Sequence, residues 1–228
     1  ETFLTYLNEI SPIQNENRNF KVLWKEKSAT LVTPKVEFSD LTSVGILLSS
    51  LPEKTSIHFA NSNSVYLSQL YNIPNSVYCF SNRGTNGIEG SVSTAVGYAA
   101  ASERLTVLLT GDLSFFYDIN GIWNRHISNN LRIMINNNGG GGIFDTLPGL
   151  NNSETLTDYI TVKHNTSAKS WAEQQGFKYL SAKNEDELRY NLPAFLSTDN
   201  TAPIVIEVFT SIEKNSKEIN SFYQQQRK

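Results

Sequence analysis

An aspartate in GDLS, Asp112, and an asparagine in INNNGGGGIF, Asn137, are the side chains of this sequence best placed to do chemistry. Each follows an apolar run, LTVLLT at 105–110 and LRIMI at 131–135, of the kind buried on both faces of a parallel sheet. An aspartate after a strand often serves only as a turn former or helix cap. Here it is answered, about 25 residues on, by three asparagines and four glycines. Glycine loses more conformational entropy on folding than any other residue, so such a run marks a backbone that bends tightly, exposes its amides and carbonyls, and lets something approach. The Asp112 carboxylate, the Asn137 amide oxygen and a main-chain carbonyl at Gly139 would supply three hard oxygen donors. Magnesium takes a few protein oxygens and completes its octahedron with water and phosphate oxygens. Glycine amides and helix N-termini would hold the phosphates. The pattern points to a metal-bound diphosphate, with Ile143 and Phe144 packed on the organic part of the same ligand.

The elements that must position these residues alternate. SDLTSVGILLSSL, from Ser39, has an N-cap and helical apolar spacing, with Pro52 beyond its end. SIHFAN at 56–61 and SVYCF at 76–80 read as strands, with SVYLSQLYN as a helix between them. TNGIEGSVSTAVGYAAAS at 85–102 is a small-residue helix that packs closely. After strand 105–110 a helix is expected around 118–127, then strand 131–135, helices near 166–175 and 184–196, and a last strand, PIVIEVF, at 203–209. TFLTYLNEI near the start reads as a short helix. This order predicts an α/β fold, a doubly wound and mainly parallel sheet with helices on both faces. Such sheets bind ligands beyond the carboxyl ends of their strands. The breaks rich in glycine and asparagine fall at that edge.

At 228 residues the chain is long enough for one sizeable core. A net charge of −3 and the lack of a Lys/Arg-rich block argue against nucleic acid as a partner. No apolar run reaches the roughly 20 residues of a membrane span. The single cysteine, Cys79, sits in an apolar stretch and is expected to be a buried hydrophobe, so no internal disulfide forms and a reducing, cytoplasmic setting follows. His58, His126 and His164 share no ligand spacing, which argues against zinc and leaves each as a surface or core histidine. The chain begins ETFLTY without an initiator methionine, so it is expected to be part of something longer.

SNRGTNGIEGSVSTAVG, GDLSFFYDIN and NNNGGGGIFDTLPG, in this order and spacing, resemble the thiamin-diphosphate enzymes. Within them they are most similar to the 2-succinyl-5-enolpyruvyl-6-hydroxy-3-cyclohexene-1-carboxylate synthases of menaquinone biosynthesis. The resemblance implies that Asp112, Asn137 and the Gly139 carbonyl hold Mg2+ or Mn2+. It puts Gly111, Leu113, Ser114 and Asn61 near the diphosphate of thiamin diphosphate. Ile88 becomes the apolar wedge that bends the cofactor, and Ile143, Phe144 and Leu147 the wall near its thiazolium ring. Arg83 and Ser62 fall at the substrate, where a lone arginine between a strand end and a glycine turn fits an anion. Four residues past Ser62, where relatives carry an arginine for a substrate carboxylate, this chain has Tyr66.

The resemblance further implies a synthase that decarboxylates 2-oxoglutarate and adds the succinyl unit to isochorismate, working as a homo-oligomer. The glutamate that activates the cofactor would come from an N-terminal pyrimidine-binding domain of a partner subunit. In that reading residues 1–34 are a linker or packing arm from a middle domain, and 35–228 are the diphosphate-binding domain, inactive alone. Two other readings stand beside it. One is another thiamin-diphosphate enzyme of the acetolactate synthase or decarboxylase type. The other is a non-catalytic phosphate-binding module, which has no reason to keep Asp112 with Asn137 and would be expected to show a GxxxxGK[ST] or GxGxxG loop.

Overall fold

The apolar runs of the sequence line up as six parallel strands in the order β2-β1-β3-β4-β6-β5. They are β1 Ser56–Phe59, β2 Tyr78–Ser81, β3 Thr106–Gly111, β4 Leu131–Asn137, β5 Lys178–Ala182 and β6 Ile204–Phe209. The computed structural model describes residues 5, 6, 9, 18–30, 32–147, 149, 150 and 154–226. Two units divide between Thr33 and Pro34. The first holds helix Arg18–Ala29, and most of the short helix expected over TFLTYLNEI lies outside the described residues. The second unit carries the sheet. Among the described residues no helix is long and apolar enough to cross a membrane.

Side chains alternate across the central strands into two cores, one on each face. Val107, Leu109, Met134, Ile204, Ile206 and Val208 join the core built with helices Asp40–Ser50, Glu185–Leu196 and Ile212–Gln226. Leu108, Leu131, Ile133, Ile135 and Val205 join the opposite core, with helices Ser91–Ala100, Asp112–Tyr117 and Lys169–Gln174. The expected doubly wound α/β architecture is borne out, with every strand pair parallel and helices on both faces. β2 lies on one side of β1 and β3 on the other, so the winding reverses between β1 and β3. That reversal opens a crevice beyond the carboxyl ends of these two strands.

Four expectations are corrected. The helix expected around 118–127 forms earlier, at Asp112–Tyr117, followed by a 3-10 turn at Ile119–Ile122. β4 runs to Asn137, so two of the asparagines read as loop belong to the strand. β5 and helix Ile212–Gln226 were not foreseen. Cys79 is exposed, because β2 is the edge of the sheet and all four of its residues face solvent. The burial it does have pushes its thiol pKa up, away from nucleophile chemistry.

Arg132, an arginine at the start of β4, is fully buried, and among the described residues its guanidinium bonds to main-chain carbonyls. Its Nε donates to Phe195 O at 2.5 Å, its Nη2 to Ser197 O at 2.7 Å, and its Nη1 to Asn129 O and Leu131 O at 2.7 and 2.8 Å. It thereby satisfies orphan carbonyls at the C-terminus of helix Glu185–Leu196 and ties that helix to the sheet. Desolvation lowers its pKa to about 10, still charged at neutral pH. Arg132→Met is expected to lower unfolding free energy by about 2–4 kcal/mol, since it strands several buried acceptors at once. Urea titration at neutral pH checks it, and a loss below about 0.5 kcal/mol would refute this account.

Candidate functional site

The β3–β4 register sets Gly111 opposite Asn136, which places Asp112, the next residue, level with Asn137. Asp112 opens a helix, so its carboxylate is turned back over the strand ends. Its Oδ1 accepts from Leu113 N at 2.6 Å, and its Oδ2 from Gly139 N at 2.8 Å and Gly140 N at 3.0 Å. Asn137 Oδ1 accepts from the same Gly139 amide at 3.2 Å. The acid and the amide oxygen singled out in the sequence thus meet at one N–H. This turn needs glycine. Gly139 and Gly140 have φ of +83° and +152°, and a Cβ on Gly140 would lie 2.6 Å from Thr161 O.

A cavity of about 320 Å³ opens beside Asp112, at the reversal point of the sheet. Asn61, Ser62, Arg83, Ile88, Gly111, Leu113, Ser114, Ile143, Phe144 and Leu147 line it with Asp112. Asn137 and Gly139 border a second hollow of about 510 Å³ across the glycine turn. Several of these groups are already engaged with one another. The Ser114 hydroxyl donates to Ile88 O, fixing the isoleucine over the cavity, and Asn61 Nδ2 donates to Asn86 O at 2.6 Å. Ser62 is held at φ +74°, ψ −140°, a left-handed conformation costing a non-glycine residue on the order of 1–3 kcal/mol. Strain of this kind concentrates at functional sites. Arg83 Nη2 donates to the hydroxyl of Tyr66, whose ring centroid lies 4.9 Å from the guanidinium.

Three further residues belong to the site and had no distinct signal in the sequence. Asp40, at the first turn of its helix, accepts from Thr210 Oγ1 at 2.6 Å and Asn138 Nδ2 at 2.8 Å and lines the cavity. His164, expected to be a bland surface or core residue, places Nε2 3.3 Å from Asp112 Oδ2, and its amide donates to Gly139 O at 3.0 Å. Its loop folds back on the glycine turn, a contact no local pattern reveals. Glu207 holds the far end of the Asn137 side chain. Of the other histidines, His126 is exposed and His58 is buried between Phe80 and Tyr98 with Nε2 unpartnered, not satisfied as a core histidine would be. Burial lowers the His58 pKa to about 4.

Burial dominates the electrostatics. Desolvation raises the Asp112 pKa to about 6 against the pull of the Leu113 amide, His164 and the Gly140 amide, and Asp40 pushes it up further. The Asp40 carboxyl is also raised by burial. Two desolvated acids on one wall form a site that a cation would relieve. The buried amide oxygens Asn61 Oδ1 and Asn138 Oδ1 have no partner.

A family model described as "Thiamine pyrophosphate enzyme, C-terminal TPP binding domain" matches residues 61–208, which include the glycine turn, Asp112 and the crevice. The chain belongs to this family. Thiamin diphosphate with a divalent metal is the cofactor set that goes with it. This thiamin-diphosphate-binding domain is 42% identical over 222 residues to a 2-succinyl-5-enolpyruvyl-6-hydroxy-3-cyclohexene-1-carboxylate synthase of Bacteroides thetaiotaomicron. That alignment takes in 96% of the chain and 40% of the relative. Proteins of the same name from Bacteroides fragilis and Flavobacterium psychrophilum are 43% and 37% identical over 93% and 97% of the chain, and 39% and 38% of their own lengths. The domain therefore spans about two fifths of the curated relatives it matches. The residues present fit the cofactor. An anionic oxygen and an amide oxygen converge on one point, Gly139 O retains a second lone pair, and an apolar wall of Ile88, Ile143, Phe144 and Leu147 lines the cavity that Asp112 borders.

An exposed aspartate loses its proton near 3.8, whereas Asp112 keeps it to about 6 in the folded chain. Its contribution to stability is therefore full below about pH 4, falls as the pH rises to 6, and stays reduced above that. In metal-free buffer Asp112→Asn is expected to be more stable than the parent by about 1–2 kcal/mol near pH 8, with the gain vanishing near pH 4. Paired urea titrations at the two pH values measure this. A variant equally destabilised at both would contradict the desolvation account.

Proposed function

We propose that this domain is the cofactor-binding part of a cytoplasmic, homo-oligomeric 2-succinyl-5-enolpyruvyl-6-hydroxy-3-cyclohexene-1-carboxylate synthase of menaquinone biosynthesis. It would decarboxylate 2-oxoglutarate and join the succinyl unit to isochorismate. The observation that carries this reading is the meeting of Asp112 and Asn137 Oδ1 at the Gly139 amide, with Asp112 also lining an apolar-walled cavity. The similarity to synthases of that name supports the choice of reaction.

In this reading Asp112, Asn137 and the Gly139 carbonyl hold Mg2+ or Mn2+. Gly111, Leu113, Ser114 and Asn61 border the diphosphate, with Ser114 also bracing Ile88 through its carbonyl. Bound thiamin diphosphate supplies a nucleophilic thiazolium carbon and an electron sink. Ile88, Ile143, Phe144 and Leu147 keep water from that region. Arg83 is the cation of the cavity wall, and the Tyr66 hydroxyl aims its guanidinium. Ser62 and Arg83 would meet the acidic groups of the substrates. The activating glutamate comes from a pyrimidine-binding domain of a partner subunit, so the 228 residues alone would bind cofactor weakly and not turn over.

In the full-length protein, 2-oxoglutarate with isochorismate is expected to yield the succinylated cyclohexene product by mass spectrometry, and pyruvate alone no acetolactate. The reverse result would move the domain to the acetolactate synthase or decarboxylase type. Asp112→Ala and Asn137→Ala are each expected to weaken Mg2+-dependent thiamin diphosphate binding by about a hundredfold or more, measured by titration calorimetry. Unchanged affinity would remove both from the cation site.

A further inference from the structure

Glu207 lies in the middle of an apolar strand, PIVIEVF, and is fully buried. The two-residue alternation of β6 turns it to the face of the sheet that Asn137 also occupies, two positions further along the neighbouring strand. Its Oε1 accepts from Asn137 Nδ2 at 2.7 Å and Ala168 N at 3.0 Å. Its Oε2 accepts from Ser167 Oγ and Tyr179 OH, both at 2.6 Å. The second Asn137 amide hydrogen goes to Thr166 O at 2.8 Å. Both donors of the asparagine are therefore committed away from Asp112.

An asparagine side chain is nearly symmetric in shape, and only its partners decide which end is oxygen. Rotating the Asn137 amide by half a turn would bring Oδ1 against two acceptors, Glu207 Oε1 and Thr166 O. It would also turn an NH2 group toward Asp112, where a divalent cation would be repelled. We infer that Glu207 is a positioning residue for the cation site, locking Asn137 with its oxygen toward Asp112. The inference rests on the cation-site reading proposed above. Glu207 acts through Asn137 and touches neither cation nor cofactor.

Mn2+ affinity in the presence of thiamin diphosphate, read by electron paramagnetic resonance of the full-length protein, tests this alongside the urea midpoint without metal. Should the parent protein bind no Mn2+, the cation-site reading itself fails. If the parent binds, Glu207→Gln is expected within about threefold of it. The glutamine oxygen still accepts from Asn137 and Ala168, and its NH2 donates to the Ser167 and Tyr179 hydroxyls. Glu207→Leu is expected to weaken Mn2+ by about ten- to a hundredfold, the usual effect of losing a partner that orients a metal ligand. Should the leucine variant not fold, Glu207→Asp, which draws the carboxylate back from Asn137, is expected to show a loss of about tenfold. Tyr179→Phe removes a donor from the other oxygen and is expected to lower the urea midpoint while leaving Mn2+ affinity unchanged. Parent-like Mn2+ affinity in the leucine or aspartate variant would overturn the inference. So would an equal loss in Tyr179→Phe, which would make the effect one of stability.

Discussion

The register between β3 and β4 is the constraint on which this molecule depends. Because Gly111 pairs with Asn136, Asp112 arrives level with Asn137, the asparagine whose side chain turns to the Glu207 face. Asn136 and Asn138 turn the other way, to Ser43 and Asp40. A slip of one residue would put Asp112 beside an asparagine facing the wrong side, and would also carry Met134 and its neighbours out of their cores. Burial on both faces makes that slip prohibitive. The apolar packing of β4 and the geometry of the site are therefore one property.

What the register brings together is electrostatically uncomfortable in isolation. Asp112 and Asp40 are both nearly inaccessible to water, both shifted toward the protonated form, and held mainly by hydroxyl, amide and main-chain donors, with the His164 imidazole beside Asp112. The glycine turn supplies two of those donors because only glycine fits its backbone there. Arg83 stands at the cavity wall under the control of Tyr66. One wall thus carries two buried acids, Asp112 and Asp40, and the Arg83 guanidinium, the charges that the proposed cation and anionic substrate would meet.

The sheet was largely legible because three of its inner strands are mostly apolar, with Arg132 in LRIMI and Glu207 in PIVIEVF as the charged exceptions. LTVLLT, LRIMI and PIVIEVF read as short, doubly covered strands, and the glycine and asparagine breaks after LTVLLT and LRIMI mark the ligand edge. β5 escaped because KYLSA is a short, half-exposed edge strand whose three apolar residues, Tyr179, Leu180 and Ala182, do not alternate. Helix Ile212–Gln226 hides its buried Ile212, Ile219 and Phe222 among lysines, glutamates and glutamines. In the candidate site, residues next to glycine turns could be picked out along the chain. His164, Asp40 and Glu207 could not, because each reaches the site from a distant segment and looks ordinary among its own neighbours. Glu207 even interrupts a strand that is otherwise apolar.

The strand order has a bearing on how the chain assembles as it leaves the ribosome. Among the described residues β5 pairs only with β6, which sits between it and β4 yet follows it in sequence. The segment from Lys178 to Leu196 is thus made before its one strand neighbour exists, and must wait until Phe209 has emerged. β2, β1, β3 and β4 can pair earlier, as N-terminal parts of a growing chain do. Asp112 and Asn137 can then come side by side while Glu207 is still unmade. The half of the sheet that carries the acid comes first in synthesis, and the residue that orients its partner comes last.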